Sequence, residues 1–261
     1  MRILLCELRR NKIALIIWSA AISFMLGVSI IIYPEMTSQM GDFSAMFSEM
    51  GAFSDAFGMD SINFGEFTGY FAIECGNVLG LGGALFAAIA GATALAGEEK
   101  EHTAEFLLTH PLSRTRIVTE KLLSVTLRIL ILNASAIAVS CVCILAIDAD
   151  ADALTLALIF LAHLLLQLQI MGVCFCISAF LHRAELGAGL GFVFATYFLN
   201  ILSNLTEDLE ALKFITPFSY TDGGYIIPEK SLDVKYLSVG LIITAIGIIA
   251  AYLKYTKKDV L

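Results

Sequence analysis

Glu74, Asn77, Asn133, His163 and Gln167 are polar or ionisable residues set inside long apolar runs. Each costs free energy there unless it is paired or meets a ligand. His163 and Gln167 are four residues apart and share a helical face, whereas Gln169 does not. Two chemistries suit such residues: hydrogen bonds between neighbouring helices, or contacts along a substrate pathway, for which Glu74 is the leading candidate. Covalent chemistry has less support. The histidines, His102, His110, His163 and His182, form no H-E-x-x-H pair, and no intramembrane aspartate pair or serine constellation stands out. A G-x-x-x-x-G-K-[ST] phosphate loop is also missing; Gly80-Leu-Gly82-Gly83 has no lysine to meet phosphate and suits close helix packing instead. No catalytic residue, metal site or cofactor is therefore expected in this chain, and an intramembrane enzyme is disfavoured. Cys141-Val-Cys143 and Cys174-Phe-Cys176 point their side chains about 200° apart on a helix, so neither pair makes a joint ligand set. Packing is the plainer role for the cysteines, with a soft-metal pathway as the other reading.

The elements that must position these residues are legible from hydropathy. The chain has 261 residues, 58% hydrophobic and only 15% charged, whereas a soluble domain is near half apolar and a quarter charged. Apolar runs of about 18 residues or more cross the roughly 30 Å of bilayer hydrocarbon. Six are present: Ile13–Tyr33, Tyr70–Gly97, Ile129–Ile147, Ala153–Leu181, Leu186–Ser203 and Tyr236–Leu253. The second and fourth exceed one span and imply tilt or extension. None alternates as barrel strands would. The expected fold is an all-α polytopic membrane protein with six transmembrane helices, forming a single domain over residues 1–261.

Orientation follows from the basic residues. Loops numbered alternately carry thirteen lysines and arginines on one side and only Lys213, Lys230 and Lys235 on the other. Both termini are therefore expected in the cytoplasm. The acidic residues lean outward, with Asp148, Asp150 and Asp152 in one small loop, so the net charge of −8 argues against a nucleic-acid partner. The basic Arg9-Arg10-Asn11-Lys12 run leads into a full span and reads as a signal anchor. Residues 1–12 place Ile3, Leu4, Leu5 and Leu8 near one face, which suits a helix at the lipid interface.

The first outer loop, Pro34 to Gly69, repeats methionine and phenylalanine at three- and four-residue steps: Met36, Met40, Phe43, Phe47, Met50 and Phe57. That spacing predicts an amphipathic helix broken at Gly58. It would pack on the spans, lie on the outer surface or cover a pathway mouth. Cu(I) binding by Met36 and Met40 is a weak further reading. The last outer loop, Asn204 to Lys235, predicts a short helix followed by an irregular, turn-rich stretch.

The remaining constellation is GEEKEHTAEFLLTHPLSRTR, Gly97 to Arg116, a charged segment between the second and third spans. Glu99 to Thr109 is helix-compatible, Pro111 stops the helix, and Ser113 can cap a new helix from Arg114 to Arg128. On physics alone two readings stay open: a solvated hairpin anchored at the lipid surface, or a docking element for a partner protein.

The stretch GEEKEHTAEFLLTHPLSRTRIVTEKLL resembles the signature of ABC-2 type transporter permeases. The matching residues are Glu98, Glu99, Thr103, Glu105, Leu107, Leu108, Pro111, Ser113 and Arg114, closed by Lys121 and Leu122. His102 stands where the family commonly has glycine. NKIALIIWSAAISFMLGVSIIIYPEM is similar to the first span of one ABC-2 subgroup, and the FGMD of Phe57 to Asp60 adds support. The resemblance implies a permease without its own ATPase site, served by a separate ABC ATP-binding subunit that holds ATP and magnesium. It also implies a second permease chain, identical or different, an export direction, and a bacterial or archaeal plasma membrane. A coupling helix between spans two and three would dock on the ATPase through Glu98, Glu99, His102, Thr103, Glu105, Phe106, Leu107, Pro111, Ser113 and Arg114. The alternative is an ATP-independent secondary transporter or channel, against which the lack of internal repeats counts.

Overall fold

The computed structural model describes residues 2–49, 66–96, 113–181, 186–205 and 207–257. Among these the chain is mostly helical, with no strand, and has six helices long and apolar enough to cross a membrane. We label the helices α1 (Arg2–Arg10), α2 (Lys12–Glu49), α3 (Phe67–Ala94), α4 (Arg114–Ala146), α5 (Ala153–Phe180), α6 (Leu186–Leu205), α7 (Gly223–Glu229) and α8 (Val234–Lys257). The protein is an all-α polytopic membrane protein. Backbone polar groups have no water to bond in hydrocarbon, so each long apolar run closes its own helical ladder.

α3 and α5 form the centre. Phe71, Ala84, Ala87 and Ala88 of α3 and Leu166, Ile170, Cys174 and Phe175 of α5 are fully buried. α2 packs along α4, burying Ile22, Leu26 and Ile30 and joining Ser23 Oγ to Ser135 Oγ at 3.2 Å. α8 lies on α5, and its outward face, with Ile242, Ile246 and Ile249, is exposed and suits lipid. The end of α8 meets the start of α4, where Arg114 Nη1 donates to the Thr256 carbonyl at 3.3 Å. We call this end the terminal face and the opposite end the loop face.

Two expectations need correction. The first span does not stop at Pro34: α2 runs on to Glu49 with the proline inside it. A proline removes the donor to the carbonyl four residues back, that of Ile30, and the helix continues past it; one turn on, the Thr37 hydroxyl donates to the Tyr33 and Pro34 carbonyls at 3.1 and 3.0 Å. The first part of the expected outer-loop helix therefore continues the span, and the break proposed at Gly58 lies outside the described residues, as do the side chains from residue 38 on. The turn-rich end of the last loop is also not wholly irregular. Before it, residues 207–214 form the short helix expected there, as 3-10 turns; within it, Asp222 caps α7 by accepting from Gly224 N at 2.9 Å. The third span and the helix before it are one 33-residue element, about 50 Å long at 1.5 Å per residue. Its first turns therefore stand beyond the hydrocarbon.

On the loop face Asp152 caps α5. Its carboxylate accepts from Leu154 N at 3.2 Å, the Thr155 hydroxyl at 2.9 Å and Lys230 Nζ at 2.7 Å. The Lys230 ammonium, then the two cap bonds, hold this carboxyl below the usual carboxylate range. A lowered pKa contributes stability above the ordinary carboxylate range and loses it as pH falls through the folded value. Asp152→Asn should therefore unfold earlier than wild type at neutral pH, with the gap closing in acid; thermal melts across pH check this.

Candidate functional site

The buried polar residues converge on a seam between α3, α4 and α5. Gln167 is its hub. Asn133 Nδ2 donates to Gln167 Oε1 at 2.6 Å and to its own helix at the Ile129 carbonyl at 2.9 Å. Gln167 Nε2 in turn donates to the Leu79 carbonyl of α3 at 3.1 Å. Leu79 sits in a π-helical turn, Gly76 to Leu81, a geometry that is rare in soluble helices and frequent at functional sites. The side chains reach α3 because glycines leave room for them. A Cβ on Gly83 would lie against the Gln167 amide, and one on Gly80 would come within 2.9 Å of the His163 ring. His163 Nδ1 lies 2.7 Å from the Ile159 carbonyl one turn back, so Nδ1 carries the proton. Nε2, an acceptor, then faces the π turn without a hydrogen-bond partner among the described residues. The seam joins the three helices and offers acceptor atoms.

Gly83→Ala should displace Gln167 and cost about 1–3 kcal/mol as an overpacked contact. Gln167→Ala in the same chain should recover most of that loss, read by thermal unfolding in detergent.

Glu74 and Asn77 lie elsewhere. Glu74 turns towards α2, where its Oε2 accepts from Ser29 Oγ at 3.0 Å, and Tyr70 OH donates to the Ser29 carbonyl at 3.0 Å. Asn77 is exposed and lines a cavity of about 290 Å³ on the loop face. The structure thus brings Asn133, His163 and Gln167 together and separates them from Glu74 and Asn77. Gln169 points away from the seam, its Nε2 reaching the Leu237 carbonyl of α8 at 3.4 Å.

A second constellation sits on the terminal face, flanking residues 97–112. Leu95 N and Ala96 N both donate to Ser178 Oγ at 3.0 Å, which ties the end of α3 to α5. Lys121 of α4, 1% exposed, donates to the Ala94 carbonyl at 2.7 Å and meets Glu7 Oε1 of α1 at 3.4 Å. A cation at a helix C-terminus is favoured by the carbonyls left open there. Glu7 is also forked by Arg10 Nη2 at 3.0 Å. Next to Lys121, Glu120 accepts from Ile3 N and Leu4 N at 3.0 and 3.3 Å, and from Arg116 Nε at 2.9 Å. One carboxylate thereby caps the first turn of α1. Arg128 is buried too, and its Nε has no hydrogen bond among the described residues.

Of the docking residues expected from the sequence, Glu98, Glu99, His102, Thr103, Glu105, Phe106, Leu107 and Pro111 lie outside the described residues. Ser113 caps α4, its side chain accepting from Arg116 N at 3.4 Å, and Arg114 reaches α8. The burial of Glu120, Lys121 and Arg128 was not expected from the sequence, which gives this stretch only as a helix capped at Ser113. The spacing held a signal: Ile117, Lys121, Ser124 and Arg128, at steps of four, three and four, fall on one face, and all are buried.

A family model described as ABC-2 family transporter protein matches residues 1–260. The chain belongs to the ABC-2 transporter family. No match was found among curated proteins. This ABC-2 protein is accordingly a multi-pass membrane component of a transporter, with six apolar helices of spanning length among its described residues.

Proposed function

We propose that this ABC-2 protein is the permease subunit of an ATP-driven exporter, coupled to a separate ATP-binding subunit that holds ATP and magnesium. The family match over residues 1–260 carries the reading. In this reading the terminal face is cytoplasmic, as its basic residues favour. The membrane is a bacterial or archaeal plasma membrane, and a second permease chain, identical or different, completes the path. Residues 97–114 dock on the ATPase, with Glu98, Glu99, His102, Thr103, Glu105, Phe106, Leu107, Pro111, Ser113 and Arg114 at the contact. Hydrolysis belongs to the partner.

The anchoring on both sides of residues 97–112 supports this mechanism. A push on a segment moves a helix bundle only if its ends are fixed to the helices. Here Ala94 to Ala96 is bonded to α4 and α5, and Arg114 to α8. Closure of the ATPases would then shift α3 and α4 together and open the path on the other side. The seam at Gln167 and the π turn would be where α3 and α5 change register, and Glu74, Asn77, Asn133 and His163 would offer polar contacts along the path.

A photo-crosslinking residue at position 106, in membranes of the native host, should capture a protein bearing a G-x-x-x-x-G-K-[ST] loop, and the same residue at 230 should not. Capture of that protein from position 230 alone, or of no such protein from 106, would refute the docking assignment.

A further inference from the structure

The loop-face cavity has a charge arrangement that its surroundings leave incomplete. It is enclosed by α3, α6, the folded-back loop after α6, α7 and the start of α8. That loop is held in place rather than draped: Thr216 Oγ1 donates to the Thr196 carbonyl at 2.9 Å, and Ser219 Oγ donates to the Lys213 and Thr216 carbonyls at 2.6 and 2.9 Å. Phe218 packs edge-on against Tyr197, with ring centroids 5.3 Å apart, and Phe214 against Tyr236 at 4.9 Å. The walls are therefore fixed before any ligand arrives, which keeps the ordering cost of binding low.

Lys213 and Asp233 both line this cavity and both are half-buried. Among the described residues the Lys213 ammonium has no hydrogen bond or ion pair. The only partner of the Asp233 carboxylate is Lys235 N, at 2.9 Å, in the cap of α8. The Lys213 and Asp233 charges are of opposite sign, line one space and do not touch each other; a second carboxylate in the lining, Asp222, is engaged in capping α7. A partly desolvated charge is costly until it is paired, and charge-assisted hydrogen bonds are the strong ones. A ligand carrying an ammonium and an anionic group at its two ends would complete both. Tyr225 and Tyr236 add aromatic rings to the lining, a group type that attracts an ammonium. Asn200 adds a polar amide side chain to the lining. The volume of about 290 Å³ is at the small end of ligand sites, which run from about 300 to 1,000 Å³.

We infer that the loop-face cavity is a binding site for a small zwitterion, its ammonium held at Asp233 and its anionic group at Lys213. Two sources share this chemistry: a free short peptide and the headgroup of an aminophospholipid. Binding needs neither ATP nor a partner subunit, so its test is separate from that of the coupling mechanism.

The test uses the full chain in phosphatidylglycerol nanodiscs, which contain no zwitterionic lipid. Binding of alanyl-alanine and of glycerophosphoethanolamine is measured by calorimetry. At least one should saturate. N-acetylation or amidation of the peptide, or loss of the amine from the headgroup probe, should weaken binding by about tenfold or more, as expected for a lost charge-assisted contact. Lys213→Gln should remove the discrimination against the peptide amide, and Asp233→Asn the discrimination against the acetylated form. Asparagine still caps a helix, so the second variant keeps its fold; monodisperse elution checks both. Tighter binding of the peptide identifies a soluble source, and tighter binding of the headgroup a lipid one. Lack of saturable binding of both probes by well-folded wild-type chain would overturn the inference. So would equal affinity for the charge-blocked analogues.

Discussion

Lys121→Met should destabilise the protein by about 2–4 kcal/mol, the largest loss expected from a single change on the terminal face. Two effects combine. The Ala94 carbonyl loses its 2.7 Å donor in a buried place, which costs about 1–3 kcal/mol. Glu7 loses a buried cation but keeps Arg10 and Asn11, so its share falls below the roughly 3–5 kcal/mol of a fully broken buried pair. The exposed ion pair gives the contrast: Arg10→Gln, with Arg10 40% exposed, should cost less than about 1 kcal/mol. Chemical unfolding in detergent, followed by circular dichroism, separates the two. Equal losses would mean that burial at Lys121 does not set the energetics of this face.

Leu107→Asp, Glu99→Lys and Arg114→Glu should each uncouple ATP hydrolysis from transport by about tenfold or more while leaving the chain inserted in the membrane. A tenfold loss corresponds to about 1.4 kcal/mol, within the range for one docking contact. Arg114 adds a structural route, since it ties α4 to α8 at Thr256. Its variant should also loosen that junction, shown by faster hydrogen exchange at the end of α8, whereas Leu107→Asp should not. The measurement is ATPase rate against substrate flux in proteoliposomes holding both subunits. Unchanged coupling in all three variants would remove the docking role from this segment.

The six spans were legible because hydrocarbon imposes a length and a composition on each helix independently of its neighbours. Several ends were legible as well, among them Ala153 and Leu186, but the end of the first span was not. Pro34 reads as a stop in a soluble helix, yet α2 runs through it to Glu49 at the loss of one backbone hydrogen bond. The polar members of the seam could be named one by one, and the shared face of His163 and Gln167 was visible from their spacing. Their acceptor could not be: the Leu79 carbonyl becomes available through a backbone π turn and through glycines on a different helix. Burial of Lys121 was hidden for a related reason. A lysine beside a glutamate reads as solvated until a separate helix, α1, is laid over it, and that placement depends on contacts between residues more than a hundred positions apart. Pairing across distant segments is the information that local periodicity lacks.

Co-purification tests most directly whether this permease works with a separate ATPase. The tagged full chain would be isolated from its native host in mild detergent and its stoichiometric companions identified by mass spectrometry. A companion with a G-x-x-x-x-G-K-[ST] loop, present with the wild-type chain and lost with Leu107→Asp, is the result expected. A well-folded chain that purifies without any such companion would contradict the account and favour an ATP-independent transporter.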